Sequence, residues 1–316
     1  MKDKIWLIGA GLMAREYVKV LKQMPVDLTV IGRSEKSAME MLEKTGTPVI
    51  SGGLEKYLTK KPALPQYAIV AVNVEELTKM TVKLVNYGVK NILVEKPAGL
   101  TLAEIKRVYD EAFKNRAKVF VAYNRRFYAS VIKARELIAE DGGVISFYFE
   151  FTEWSHVIEK MNKPDKVKAK MFLANSTHVV DLAFHLGGKP KEFNFYTAGG
   201  LPWHRSASRF AGAGITEGGA VFSYCANWEA PGRWGVEVLT AKRRLILRPL
   251  EKLQIQLKGS LEVDLVSIDD QLDIVYKPGL YRQVEAFLKS DVSNLCSIKE
   301  HYLNTEKYYY PMANYH

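Results

Sequence analysis

Acidic residues are in short supply. The chain carries 35 of them against 45 lysines and arginines, a formal net charge of +10. Such a surplus favours anionic partners. The cations are spread along the whole length, and neither zinc-finger spacing nor an RNA-binding signature accompanies them, so no nucleic-acid partner is expected. Cysteine is almost missing: Cys225 and Cys296 cannot make a disulfide framework and suit a reducing compartment. No apolar run approaches the roughly 18 residues of a bilayer-spanning helix, and no membrane partner is expected. The first residues lead at once into a strand pattern without the apolar stretch of a signal peptide, so the expectation is a cytoplasmic protein.

What is present points to two domains, since 316 residues with 47% apolar content exceed what one core usually organises. Lys4–Gly9 (Lys-Ile-Trp-Leu-Ile-Gly) reads as a buried parallel strand. It runs into Gly9-Ala10-Gly11-Leu12-Met13-Ala14, a G-x-G-x-x-A turn, and then into a helical stretch from Arg15 to Lys22. In that context the first glycine makes the tight turn and the second lets a pyrophosphate approach the backbone. The small third residue permits close packing of helix on strand, and the helix N-terminus faces the phosphates.

A second absence follows. The strand Leu28–Ile31 ends in Gly32-Arg33-Ser34, with Lys36 close behind. An NAD-selective site places Asp or Glu there for the ribose 2′-hydroxyl. Here a guanidinium and a hydroxyl stand instead, a set that accepts a 2′-phosphate and does not repel it. NADP is therefore the expected cofactor, with NAD bound beside a plain basic loop as the other possibility. The α/β alternation continues through a strand ending in Val94-Glu95-Lys96-Pro97 and closes with Val119–Ala122. A lysine at such a strand end is aimed at whatever the sheet holds, and proline stops the ladder.

Six strands and their crossovers complete a Rossmann-type parallel sheet, so residues 1–122 read as a dinucleotide-binding domain. Residues 123–316 read as an α+β domain for substrate binding and oligomerisation. Asn124-Arg125-Arg126-Phe127 opens a helix to about Glu140, and the strand Val144–Thr152 follows. Residues 154–172 read as basic and irregular, and Ser176–Leu186 as a helix. Six β-rich segments between 190 and 266 then build a large open antiparallel sheet. A last helix is expected over Tyr281–Leu288.

The order of these motifs resembles the Gfo/Idh/MocA oxidoreductases, the family of glucose–fructose oxidoreductase and inositol dehydrogenase: a Rossmann domain, Glu-Lys-Pro, Asn-Arg-Arg-Phe, then Thr-His-Val-Val-Asp ahead of an open sheet. The likeness covers the whole chain. It implies that Gly9, Gly11, Leu12, Met13, Arg33, Ser34, Asn73, Glu95 and Lys96 surround the cofactor. Lys96 is implied to be catalytic, hydrogen-bonding the reacting oxygen, with a cis peptide before Pro97 turning it toward the nicotinamide. Asn124 and Arg125 are implied to line the substrate cleft. His178 is implied to be the acid/base for the substrate hydroxyl, with a pKa suited to it, and Asp181 a carboxylate that contacts substrate or orients the site. Two positions depart from the pattern: where members carry Asp four residues before the histidine, this chain has Ala174, and Ser176 replaces a glycine. Asp181, at i+3, is the nearest substitute.

His178, Asp181 and His185 share a helix face, yet nothing in the spacing supplies a fourth ligand, and no metal is expected. The loop Gly199–Arg205 combines Trp203, His204 and Arg205. Trp203 and Arg205 suit a ring and a phosphate and are taken as substrate-binding, with an oligomer contact or an ordinary exposed loop as the alternative. Tyr308–Tyr310 are assigned to core packing. The resulting expectation is an NADP-dependent oxidoreductase, working on a secondary hydroxyl or ketone of a sugar. The basic segment around Lys160, Lys163, Lys166, Lys168 and Lys170 favours a phosphorylated, nucleotide-linked sugar of polysaccharide or glycan biosynthesis. A free polyol or inositol-type dehydrogenase is the second reading, and a cofactor-binding protein without catalysis the third. A homodimer or homotetramer is expected, because one face of so large a sheet needs cover.

Overall fold

A computed structural model describes residues 2–315. Two compact units emerge, one holding the residues up to Tyr123 together with Val275–Thr305, the other Asn124–Ile274 together with the residues from Glu306 on. The segment 275–305, expected with the second domain, therefore belongs to the first. Its helix Leu280–Leu288 packs on the helix Leu12–Leu21, and its two-residue strand joins the first sheet.

Strands of the first unit are β1 (Asp3–Ile8), β2 (Val26–Ile31), β3 (Val49–Ile50), β4 (Tyr67–Val70), β5 (Asn91–Val94) and β6 (Lys118–Val121). The second unit contributes β7 (Ser146–Glu150), β8 (Pro190–Ala198), β9 (Arg209–Thr216), β10 (Val221–Asn227), β11 (Gly235–Leu239), β12 (Arg243–Leu247), β13 (Gln254–Leu257) and β14 (Asp264–Leu265). The strand β15 (Cys296–Ser297) returns to the first unit.

The first sheet runs β3-β2-β1-β4-β5-β6-β15, parallel except for β15, which pairs antiparallel with β6. Its central strands are buried on both faces, as an apolar parallel sheet covered by helices requires: Ile5, Leu7, Ile69, Leu93 and Val121 have no exposed surface. The strand order reverses between β1 and β4, and ligands of open α/β sheets bind beyond the strand ends at that point.

The second sheet has eight strands in the order β14-β13-β12-β11-β7-β10-β9-β8. It is antiparallel apart from the pair β7·β10, which is parallel. Alternation decides its faces. Phe147, Phe149, Phe222 and Tyr224 point inward and stack, and Phe184 of the helix Thr177–Gly187 meets Phe149 edge-on with ring centroids 5.5 Å apart. Each such buried aromatic contributes about 1.5–3 kcal/mol through area removed from water. Tyr308 extends this cluster against Phe184 and Phe193, and Tyr309 is buried, in keeping with the core role expected of them.

Residues 154–172, expected to be irregular, hold two short helices, Ser155–Lys160 and Asp165–Lys168. A π-helical turn, Phe172–Ser176, then leads directly into the helix bearing His178. None of these stretches is long enough to show a helical period. No helix among the described residues is long and apolar enough to cross a membrane.

Candidate functional site

In the first unit, Gly9 has φ +124°, and a Cβ there would stand 2.1 Å from the carbonyl oxygen of Ala71. Only glycine allows β1 to turn so close to β4. At Gly11 the situation is the reverse: an added Cβ would meet no atom within 4 Å, so the ground in front of the turn is open. Gly11 is the N-cap of the helix Leu12–Leu21 with no side-chain cap, which leaves first-turn N–H groups without an intrahelical partner. Leu12 is 78% exposed there. An open backbone cradle at a positive helix end fits a dinucleotide pyrophosphate.

Beyond β2, Arg33 is exposed, and among the described residues no carboxylate pairs with its guanidinium. Ser34 has a local duty: its hydroxyl accepts from the N–H of Ser37 and caps the helix Glu35–Thr45. Asn73 follows β4 at the start of a 3₁₀ turn and is exposed.

Lys96 lies just past β5 and is buried, and the Lys96–Pro97 peptide is cis. The carbonyl of Pro97 accepts from His301 Nε2 at 2.9 Å, and His301 Nδ1 accepts from the Tyr123 hydroxyl at 3.2 Å. The returning segment thus braces the loop that presents the lysine, and nothing local in the sequence announces it. Glu95 accepts a 2.6 Å hydrogen bond from the buried Tyr17 hydroxyl. Burial raises the Glu95 pKa, against the opposing pull of Tyr17, Lys277 and Lys96.

The second unit holds the other expected residues. His178 is half-buried in the first turn of its helix, 6.4 Å from the ring of Trp234. Arg125 lies over that same indole at 4.7 Å, as does Arg233 at 4.5 Å. Burial lowers the Arg125 pKa. Asn124 is buried beside it in the turn Asn124–Phe127.

Asp181 is not the exposed substitute carboxylate that its i+3 spacing from His178 suggested. Arg126 takes both of its oxygens, Nε to Oδ2 at 2.8 Å and NH2 to Oδ1 at 2.6 Å, with the two side chains only 5% and 2% exposed. A guanidinium across both oxygens also leaves the shared face of His178, Asp181 and His185 unsuited to a cation. A carboxylate reaches the neighbours of Ala174 from elsewhere in the chain: Glu153, 1% exposed, accepts from Asn175 Nδ2 at 3.0 Å and Ser176 Oγ at 2.7 Å. It ties down the two residues that precede Thr177 and His178. Neither Arg126 nor Glu153 was identified from the sequence, and only the doubled arginine at 125–126 hinted at the first.

Trp203 and Arg205 line a cavity of about 750 Å³ together with Lys166, Lys168 and Lys170. His204, in the same loop, is fully buried. It donates from Nδ1 to the Ala207 carbonyl at 2.7 Å and accepts at Nε2 from the Tyr315 hydroxyl at 2.8 Å. Burial lowers its pKa from 6.5 to about 4, and that of His185 to about 3. Because the unfolded chain binds these protons more readily, their contribution is fully present above about pH 6.5 and is lost as the pH falls toward 4. Stability should drop by up to about 1.4 kcal/mol per pH unit for each histidine in that window. Denaturant unfolding at several pH values checks this. His204→Gln should flatten the slope, and an unchanged slope would contradict the assignment.

Residues 4–123 match the family model described as "Oxidoreductase family, NAD-binding Rossmann fold", GFO_IDH_MocA. A curated relative, trans-1,2-dihydrobenzene-1,2-diol dehydrogenase of Sus scrofa, is 27% identical over 139 residues, 43% of this chain. That stretch spans only 41% of the relative's own length. Among solved structures, a levoglucosan dehydrogenase in complex with NADH superposes with TM-score 0.80 at 17% identity, covering 99% of this chain and 97% of its own. UDP-N-acetylglucosamine 3-dehydrogenase from Acidithiobacillus ferrooxidans does so with TM-score 0.75 at 13% identity, covering 100% and 98%. At such identities the structural likeness is one of fold. Over residues 4–123 the chain thus matches the Gfo/Idh/MocA oxidoreductase model, an NAD-binding Rossmann fold.

Proposed function

We propose that the protein is an NADP-dependent oxidoreductase acting at a secondary hydroxyl or ketone carbon of a nucleotide-linked sugar used in polysaccharide or glycan assembly. The observation that carries this reading is the pairing, on one sheet, of the open turn at Gly9–Gly11 with the buried lysine past β5. Two structural neighbours are by name sugar-acting dehydrogenases, which supports a sugar as substrate. When bound, the nicotinamide supplies the site that accepts or returns hydride. Lys96 Nζ donates a hydrogen bond to the reacting oxygen and stabilises charge on it. The His178 imidazole takes or returns that hydroxyl's proton. Asp181 acts through Arg126 to fix the helix that carries His178, while Asn124 and Arg125 contact the sugar. Mass spectrometry of small molecules released from the purified, denatured protein tests the reading. Recovery of a nicotinamide dinucleotide or a nucleotide-sugar supports it, and recovery of an unrelated cofactor such as a flavin would contradict it.

The cofactor choice rests on Arg33, an exposed guanidinium standing where an NAD site has an acid. NADP should bind more tightly than NAD by about 1–3 kcal/mol, the strength of a charge-assisted hydrogen bond. Arg33→Ala should erase that preference. Titrating both dinucleotides decides the matter, and an NAD preference untouched by the substitution would refute it.

Assembly is proposed through the outer face of the second sheet, within the segments from 219 to 266 and the strands beside them. On that face Val221 is 53% exposed and pairs with Ile215, while Ser223 and Cys225 lie opposite Ala213 and Ala211, a flat and largely apolar surface. We expect a dimer or tetramer by light scattering and a shift toward monomer in Val221→Lys. A wild-type monomer at micromolar concentration would sink the idea.

A further inference from the structure

The cavity behind Trp203 and Arg205 lies wholly within the second unit, between the helix Asp165–Lys168 and the loop 202–206, with Asn314 and Tyr315 at its side. Four cations line it, Lys166, Lys168, Lys170 and Arg205, against two carboxylates, Glu159 and Asp165. Among the described residues, none of these six side chains makes an ion pair. Lys168 donates to the backbone carbonyl of Glu159 at 2.8 Å, and the Lys170 ammonium sits 3.8 Å above the ring of Tyr315. Unneutralised positive charge gathered in a concave space concentrates anions.

Size and the aromatic wall narrow the class of anion. About 750 Å³ is far more than a single phosphate fills and falls within the range of sites for whole cofactor-sized ligands, roughly 300–1,000 Å³. Trp203 is a rigid wall, since its indole lies parallel to that of the buried Trp228, 5.8 Å away with an interplanar angle of 11°. A fixed indole next to a guanidinium suits a planar ring that carries phosphate.

We propose that this cavity holds the nucleoside diphosphate part of the substrate, its phosphates among Lys166, Lys170 and Arg205 and its base against Trp203. This rests on the nucleotide-linked reading given above and extends it to a named place. The probes are uridine diphosphate, pyrophosphate and uridine, titrated calorimetrically into the full chain saturated with NADP, so that the dinucleotide turn is already filled. Uridine diphosphate should bind best, because it alone offers both charge and ring. Arg205→Ala and Lys166→Ala, both at exposed positions, should each weaken it about 10-fold or more. No binding of uridine diphosphate, or binding that both variants leave unchanged, would overturn the assignment. If the variants lose the nucleotide while no nucleotide-linked sugar drives reduction of NADP, the cavity stands as a nucleotide site and the substrate reading falls.

Discussion

Lys96→Ala should lower turnover roughly 100- to 1,000-fold, the usual loss when one donor aimed at developing charge is removed. Its side chain is buried past β5, and the loop after it is held by His301 and Tyr123 of the same unit, so its position does not depend on bound substrate. His178→Ala should cost about 100-fold, the lower end of what acid/base help provides. The reason is that Ala174 stands where the family resemblance leads one to expect an orienting carboxylate, and Asp181 accepts from Arg126 through both oxygens. The comparison is made as turnover of both variants with NADP affinity measured in parallel. Near-full turnover in both would place the chemistry elsewhere. A larger loss for His178 than for Lys96 would reverse the division of labour argued here.

Removing one partner of the Arg126–Asp181 pair should destabilise the second unit by about 3–5 kcal/mol, the usual cost of breaking a buried ion pair from one side. Asp181→Ala and Arg126→Ala should show it equally in denaturant unfolding. The double change Arg126→Met with Asp181→Leu should recover most of it, since a well-packed apolar pair replaces a buried ion pair at little cost. The same variants separate structure from chemistry. If Asp181 touched the substrate directly, Asp181→Asn would abolish turnover in a protein of unchanged stability. A stable, inactive Asp181→Asn would therefore contradict the positioning role.

Several parts of this account are written locally in the chain. The turn at Gly9–Gly11 was legible because its glycines sit between an apolar strand and a helix, and the geometry demands them there. Lys96 was legible because an apolar β-branched run ends in it. The inward row of Phe147, Phe149 and Phe222 follows from simple alternation. What escaped is non-local. Arg126 and Asp181 lie 55 residues apart, and no period links them. Glu153 and Ser176 are 23 apart, on different elements. The strand β15 has two residues, too few for any alternation, and pairs with β6 across most of the chain. His204 looked like a loop residue because its neighbour Arg205 is exposed while the ring turns in to Tyr315.

The most direct measurement is reduction of NADP by the wild-type chain offered a panel of nucleotide-linked sugars, free sugars and polyols, followed by the absorbance of the reduced nicotinamide. The account predicts turnover with at least one nucleotide-linked sugar, faster with NADP than with NAD and lost in Lys96→Ala. Turnover confined to free polyols, or none at all from a chain that binds NADP tightly, would contradict it.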